Sequence, residues 1–330
     1  MANEARHHHY LPQCYLRGFA TGRGKKCRLT VANLANGIFF DTNPRNVAGE
    51  RDFNRVELEG HKPDALESQL SSFESEVATS IRNVAASQKF EGDDHWNILN
   101  LIALLAVRSP QMREHIRRMS EDMLKRRLGL TLETKERWEA RQAEMAEAGK
   151  APPPEDPAIS YEEIKKFYDQ DEYDINLNRE YHIKLEFQMH DPILRALALR
   201  KWTLYTTDEE TGLFVTTDRA VMLTYNKPLE VPPIYRDSPG FGLPETEVMF
   251  PLTQHMTLVG MFEGDDAVVE ANTAIVAHAN TKMIHGAYGQ VYAPKRSVPH
   301  LGVDLAVHHD RHFMERYEPL KKKKEPEEKK

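Results

Sequence analysis

The spacing of apolar residues changes twice along this chain. Near the N-terminus, Leu29, Val31 and Leu34 stand before Asn36-Gly37, and Ile38, Phe39 and Phe40 stand after it. An Asn-Gly pair between apolar runs is the strongest short hairpin signal, because both residues tolerate the positive φ of a tight turn. From Pro63 the spacing becomes helical: Leu66, Leu70, Phe73, Val77, Ile81 and Val84 recur at steps of four or three. The next helix, "HWNILNLIALLAVRSPQMREHIRRM", is apolar nearly all round between Ile98 and Val107, which predicts a buried helix that bends or restarts at Pro110. Thr131 to Lys150 reads as a charged, projecting helix that "APPPEDPA" stops. A long helix follows from roughly Leu177 to Arg200, with Tyr181, Ile183, Leu185, Phe187, Ile193, Leu194, Leu197 and Leu199 on its apolar positions and a kink expected at Pro192.

Beyond Arg200 the pattern alternates again. "KWTLYTTDEETGLFVTTDRAVML" reads as strands about a Glu-Glu-Thr-Gly turn, and "TEVMFPLTQHMTLVGMF" as strand, turn and strand. "NTAIVAHANTKMIHGAY" is a late helix before "QVYAP". This order predicts an α+β fold in which an N-terminal β-hairpin and a C-terminal β-rich part, sharing one mixed sheet, pack on a central helical layer. Residues 1–320 are expected to form a single domain with a helical and proline-rich insertion near 131–176. Residues 321–330, lysine-rich and without an apolar side chain, are expected to be a disordered tail.

Composition narrows the class. With 330 residues, 40% of them hydrophobic, the chain can bury a sizeable core. A net charge of −7 argues against a generally basic nucleic-acid binder, although a local basic groove leaves nucleic acid open as a partner. Cys14 and Cys27 are too few for a disulfide framework and fit no closed zinc spacing. No apolar run reaches the length of a membrane span, and no basic-then-apolar leader opens the chain, so a cytoplasmic protein without a membrane partner is expected. Gly-rich phosphate loops, the dinucleotide fingerprint, the Gly-x-Ser-x-Gly elbow and His-Glu-x-x-His are all missing from the sequence.

Candidate chemistry starts with "HHHYLPQCYLRGF", His7 to Phe19, whose aromatic and aliphatic residues give it groups to dock with. His8 and His9 are candidates for general base or metal ligand; the competing reading is an imidazole bonded to backbone while Tyr15, Leu16 and Phe19 pack. The match to a ββα-metal nuclease is poor, because "QCYLRGF" reads as a turn or short helix rather than the second strand such a unit needs. Glu50 and Asp52 lie in a Gly-containing loop from which they could reach a divalent cation or pair with Arg45, Arg51 or Arg55. Glu67 and Glu74, seven apart on one helix flank, call for a partner such as Arg108. Asp218 closes "VTTD" where a strand gives way to a turn. His308, His309 and His312 form a late cluster in which His308 and His312 would sit one turn apart if helical.

"HHYLPQCYLRGF", "NPRNVAGERDFN", "ALESQLSSFESEV", "VRSP", "FVTTDRAVML" and "FPLTQ" resemble, in content and order, the bacterial DUF 4238 family, a domain of unknown function. The resemblance covers most of the chain and is weakest between Thr131 and Asn176. It implies special roles for His8, His9, Pro12, Tyr15, Leu16, Phe19, Glu50, Asp52, Phe53 and Asp218, although "RA" after Asp218 replaces the family's proline-containing turn.

Two readings follow. In the first, the protein is a metal-assisted hydrolase of the phosphodiesterase or nuclease kind: Glu50, Asp52 and Asp218 hold a divalent metal ion, His8 or His9 activates water, and Arg17 or Arg51 binds phosphate. In the second it is a non-catalytic interaction protein whose histidine motif is structural and whose helix from Glu136 to Ala148 offers a surface to a partner. An exposed cleft favours the first reading, and internally satisfied hydrogen bonds favour the second.

Overall fold

The structure, a computed structural model, describes residues 7–22, 24–55, 65–149, 159–171, 173, 175, 177–236 and 239–310. It opens with a short strand β1 (His7–His9) and a single helical turn α1 (Gln13–Leu16), which Pro12 enters at φ −55°. A 3-10 turn over Arg17–Phe19 continues it. The predicted hairpin is present as β2 (Leu29–Asn33) and β3 (Ile38–Thr42). Gly37 takes φ +71° and its amide donates to the Asn33 carbonyl at 3.0 Å, so the loop closes over Leu34–Gly37. β3 is an exposed edge, with Ile38 54% exposed. β4 (Gly49–Arg51) then pairs antiparallel with β1, placing Glu50 opposite His8.

Helices occupy the middle: α2 (Ala65–Ser87), α3 (Gly92–Val107), α4 (Pro110–Thr131), α5 (Lys135–Glu147), α6 (Tyr161–Gln170) and α7 (Arg179–Ala198). The periodic residues Leu70, Val77, Ile81 and Val84 of α2 are buried, and α3 buries Ile98, Leu99, Leu101, Ile102 and Ala103 completely. Pro110 starts a new helix, as its missing N–H allows only in a first turn. The expected face of α7 is only partly right: Ile183, Ile193 and Leu197 are buried, but Phe187 and Leu199 are exposed while His182 and Glu186 are buried. Apolar spacing marks a helix; which stripe meets the core is decided by what packs on it.

The C-terminal strands are β5 (Lys201–Thr206), β6 (Thr216–Thr217), β7 (Met222–Tyr225), β8 (Thr246–Thr253), β9 (Met256–Met261) and β10 (Ala267–Glu270). Helix α8 (Thr273–Gly286) follows, its first turn capped by Asn272, whose side chain accepts from the Ile275 amide. β11 (Gln290–Ala293), β12 (His300–Leu301) and β13 (Val307–His308) complete the described chain.

Among the described residues the protein is α+β, but its strands do not form one mixed sheet. A five-stranded sheet runs β10-β5-β9-β8-β7, and a four-stranded sheet runs β3-β2-β11-β6. The two ends of the chain do meet in the smaller sheet: β11 lies between β2 and β6, antiparallel to both. The Glu-Glu-Thr-Gly turn does not join a hairpin, because β5 pairs with β9 and β10 while β6 pairs with β11. Alternation identifies a strand without naming its neighbour. By contrast β8 and β9 are paired as read, Glu247 opposite Met261.

Two compact units divide the chain. Met1–Pro110 with Ile183–Lys330 form one, and Gln111–His182 form the other, which encloses the stretch 131–176 set apart by its composition. In the smaller unit Thr134 caps α5, a Ser160–Glu163 capping box starts α6, and Gly129 leaves room for Tyr168, whose hydroxyl lies 2.5 Å from where a Cβ would be. In the larger unit Tyr15, Leu16, Phe19, Val77, Ile98, Leu101, Phe250 and Tyr292 belong to one buried cluster. The expected tail, 321–330, lies outside the described residues. No described helix is long and apolar enough to cross a membrane.

Candidate functional site

The histidine motif is ordered and inward-facing. β1 is tied to β4, and the Tyr10 amide continues the ladder to the Ala48 carbonyl at 2.9 Å. Ala48 and Asp52 flank β4 with φ of 54° and 57°, a left-handed conformation costly for residues with a Cβ. His8 is 3% exposed, and its Nδ1 accepts from the Asn54 amide at 2.9 Å. An amide can only donate, so the proton of the neutral ring sits on Nε2. The Asn54 side chain in turn donates to Glu67 Oε2. His9 has the opposite arrangement: its Nε2 meets the Arg45 carbonyl at 3.0 Å and so donates. Burial holds the His9 pKa below the usual imidazole value.

After Pro12 the chain turns inward. Tyr15 is fully buried, its hydroxyl donating to the Pro251 carbonyl at 2.8 Å and sharing a hydrogen bond with Thr216 Oγ1 at 2.7 Å. Its ring stacks on Phe250. Gly18 lets this turn lie against β8, where a Cβ would come within 3.3 Å of the Leu252 carbonyl oxygen. Cys14 donates to the Glu74 carbonyl at 3.5 Å, and burial pushes its thiol up to about 12.

Asp218 is 3% exposed, and its carboxylate works as a backbone clamp. Oδ1 accepts from the Tyr288 amide at 2.9 Å and Oδ2 from the Gln290 amide at 3.0 Å, holding the entry to β11. Its charge is felt by Tyr10, Tyr288 and Tyr292, all raised chiefly by burial, Tyr10 to about 12. Tyr292 opposes this rise in Tyr10, while Asp218 and Glu50 both add to it.

The other candidates lie further out. Glu50 and Arg51 are exposed on β4, and Arg51 pairs with Asp52 at 3.5 Å. Among the described residues no three His, Cys, Asp or Glu side chains form a group able to hold a metal ion, so Glu50, Asp52 and Asp218 are not assembled into one. Arg108, 3% exposed at the end of α3, donates to the His9 carbonyl at 3.0 Å and lies over the Phe53 ring. Burial raises the Glu74 pKa, and the Arg108 charge partly offsets this. His308 lies on a strand rather than a helix and meets Asp304 at 3.0 Å; His312 lies outside the described residues.

Beside the motif opens a cleft of about 1000 Å³. Arg17 lines it, as do Arg28 and Arg45, which the sequence did not single out for ligand binding, whereas Arg51 does not line it. The available signal was the basic run "GRGKKCR" together with the Pro44 turn, neither of which says that the two meet.

The family described as "Protein of unknown function (DUF4238)" matches residues 7–297. No curated protein and no solved structure matches the chain. With the histidine motif, the β4 loop and the Asp218 turn all inside the matched span, the chain belongs to the DUF4238 family.

Proposed function

We propose that this protein is a non-catalytic binding protein whose N-terminal histidine motif is structural. The observation that carries this reading is the hydrogen bond from the buried Asn54 amide to His8 Nδ1, which commits the lone pair a general base or metal ligand would need. The two backbone amides on Asp218 support it in the same way. In this reading His8 locks the β4 turn, His9 and Arg108 lock the motif to Arg45 and α3, and α5, whose described residues are none of them buried, faces a partner.

A second reading, the metal-assisted phosphodiesterase or nuclease, is favoured by one observation. Asp52 Oδ1 and Asn54 Oδ1 are buried without a hydrogen-bond partner among the described residues, and Asn54 touches His8. Carboxylate and amide oxygens left without a partner are the kind of donors a cation uses.

Elemental analysis of purified protein, with His8→Ala beside it, separates the two. The structural reading expects no stoichiometric metal and a loss of about 1–3 kcal/mol on denaturation, the cost of an unsatisfied buried amide. A stoichiometric divalent metal that disappears in His8→Ala, with folding retained, overturns it.

A further inference from the structure

The arginine cleft carries an inference that does not depend on the role of the histidines. Its three cationic side chains are rooted on short, firmly held elements. Arg17 follows α1 in a 3-10 turn whose neighbours Leu16 and Phe19 are fully buried. Arg28 sits on a bridge closed by two backbone hydrogen bonds with Thr21, each 2.8 Å. Gly22 makes that turn possible, at φ +78° and with the Lys26 carbonyl oxygen 2.8 Å from where a Cβ would be. Arg45 is in the 3-10 turn Pro44–Asn46, capped by Asn43, whose Oδ1 accepts the Arg45 amide at 3.2 Å. Charges held in place before a ligand arrives cost little ordering entropy when it binds.

Much of the polar lining is engaged with the fold, and Arg28 itself is held by it, its Nη1 donating to the Cys27 carbonyl at 3.0 Å. Asn43 Nδ2 donates to the Cys27 carbonyl, and Asn46 Nδ2 to Thr42 Oγ1. Asp41, the acidic residue lining the cleft, accepts from Thr30 at 2.9 Å and pairs with Arg296 at 3.1 Å. Its charge is therefore answered from outside the lining, and among the described residues three guanidiniums give the cleft its positive field. A carboxylate is satisfied by one bidentate arginine; three arginines around one volume match the charge and the three outward oxygens of a phosphate group. Among the described residues no aromatic ring lines the cleft to stack a base, and a chain of net charge −7 repels a polyanion at long range. A volume of about 1000 Å³ admits a phosphorylated small molecule.

We infer that this cleft binds the phosphate group of a small soluble molecule through Arg17, Arg28 and Arg45.

Titration calorimetry on the full chain tests this with inorganic phosphate, ribose 5-phosphate and pyrophosphate as probes. Saturable binding of at least one is expected. Its affinity should fall about tenfold or more in Arg17→Ala and in Arg45→Ala, and binding should be lost in the triple alanine variant. Binding of inorganic phosphate alone identifies the free ion as the source, and tighter binding of ribose 5-phosphate identifies an ester; either supports the site. Arg17→Lys and Arg45→Lys, which keep the charge and lose the fork, should retain weaker binding and serve if an alanine variant fails to fold. The inference is overturned if no probe binds at millimolar concentration, if the triple variant binds as the parent does, or if only a single-stranded oligonucleotide binds. Loss of binding in the arginine variants with His8→Ala binding normally separates this site from the histidine motif.

Discussion

The histidine motif and the arginine cleft overlap at Gln13 and Arg17 and meet again at Arg45, where they use one residue in opposite ways. The carbonyl of Arg45 accepts the His9 ring, while its guanidinium lines the cleft. On the motif side the polar groups are turned into the fold: His8 to the Asn54 amide, Tyr15 to Pro251 and Thr216, Asp218 to Tyr288 and Gln290. On the cleft side the Asn43 and Asn46 amides are likewise used and Arg28 Nη1 donates to the Cys27 carbonyl, but the cationic side chains border an open volume. Under the proposed reading, the histidines and the aspartate that look catalytic in the sequence serve the fold. A buried polar group must be satisfied internally, and the lone pair it uses for that is not offered to a ligand.

Substitutions should therefore split cleanly between the two regions. Tyr15→Ala removes a fully buried ring with both its hydrogen bonds, and a loss of about 3–5 kcal/mol is expected from chemical denaturation. A loss below about 1 kcal/mol would mean that the motif is not part of the core. Asp218→Asn turns one of two acceptors into a donor facing an amide, and should cost about 1.5–3 kcal/mol. Unchanged stability there would point to a carboxylate kept for chemistry instead.

Acidification reads the motif more finely. His9 resists protonation in the fold, where burial and the charges of His7 and Arg108 outweigh the opposing Arg45 carbonyl and Glu67. Below pH 6.5 the unfolded chain takes up this proton first, so the contribution of His9 is fully present above that pH and is lost as pH falls through its lowered folded value. His95, His278 and His285 are lowered too, so the parent should lose stability in the same window for several reasons. The part due to His9 is the difference from His9→Gln in paired unfolding curves at pH 7.5 and 5.5. Identical pH dependence in the two would place the His9 ring in water.

The smallest effect is expected at the cleft. Arg45→Ala leaves the backbone acceptor of His9 in place and should change stability by no more than about 0.5 kcal/mol, measured by the same denaturation. A large loss would make the arginine a structural element and erase the distinction between the two regions.

Much of the local structure was legible. Asn36-Gly37, Pro110 and the helical spacing from Leu70 to Val84 each act over a few residues, and each produced the element expected. The site was legible only as a set of residue types. His8, His9 and Asp218 stood out because imidazole and carboxylate are chemically versatile, yet Asn54, whose amide donates to His8 Nδ1, carries no such signal. Arg28 and Arg45 were equally silent, since a surface arginine looks the same whether or not two others share its cleft.

What the sequence determined by itself was the kind of the longer elements, the β2–β3 hairpin, α2, α3, α7, α8 and the β8–β9 pair, through turn chemistry and the period of apolar residues, whereas α6 and the short strands β1, β4 and β10 carried no such signal. Tertiary structure alone decided that β5 and β6 part company, that β11 enters between β2 and β6, and that Tyr15 reaches Thr216 across 201 positions. Backbone propensity does not act over such separations. Those choices are made when buried side chains and main-chain groups must all find partners at once, and that condition turned His8 inward and left the arginines around the cleft.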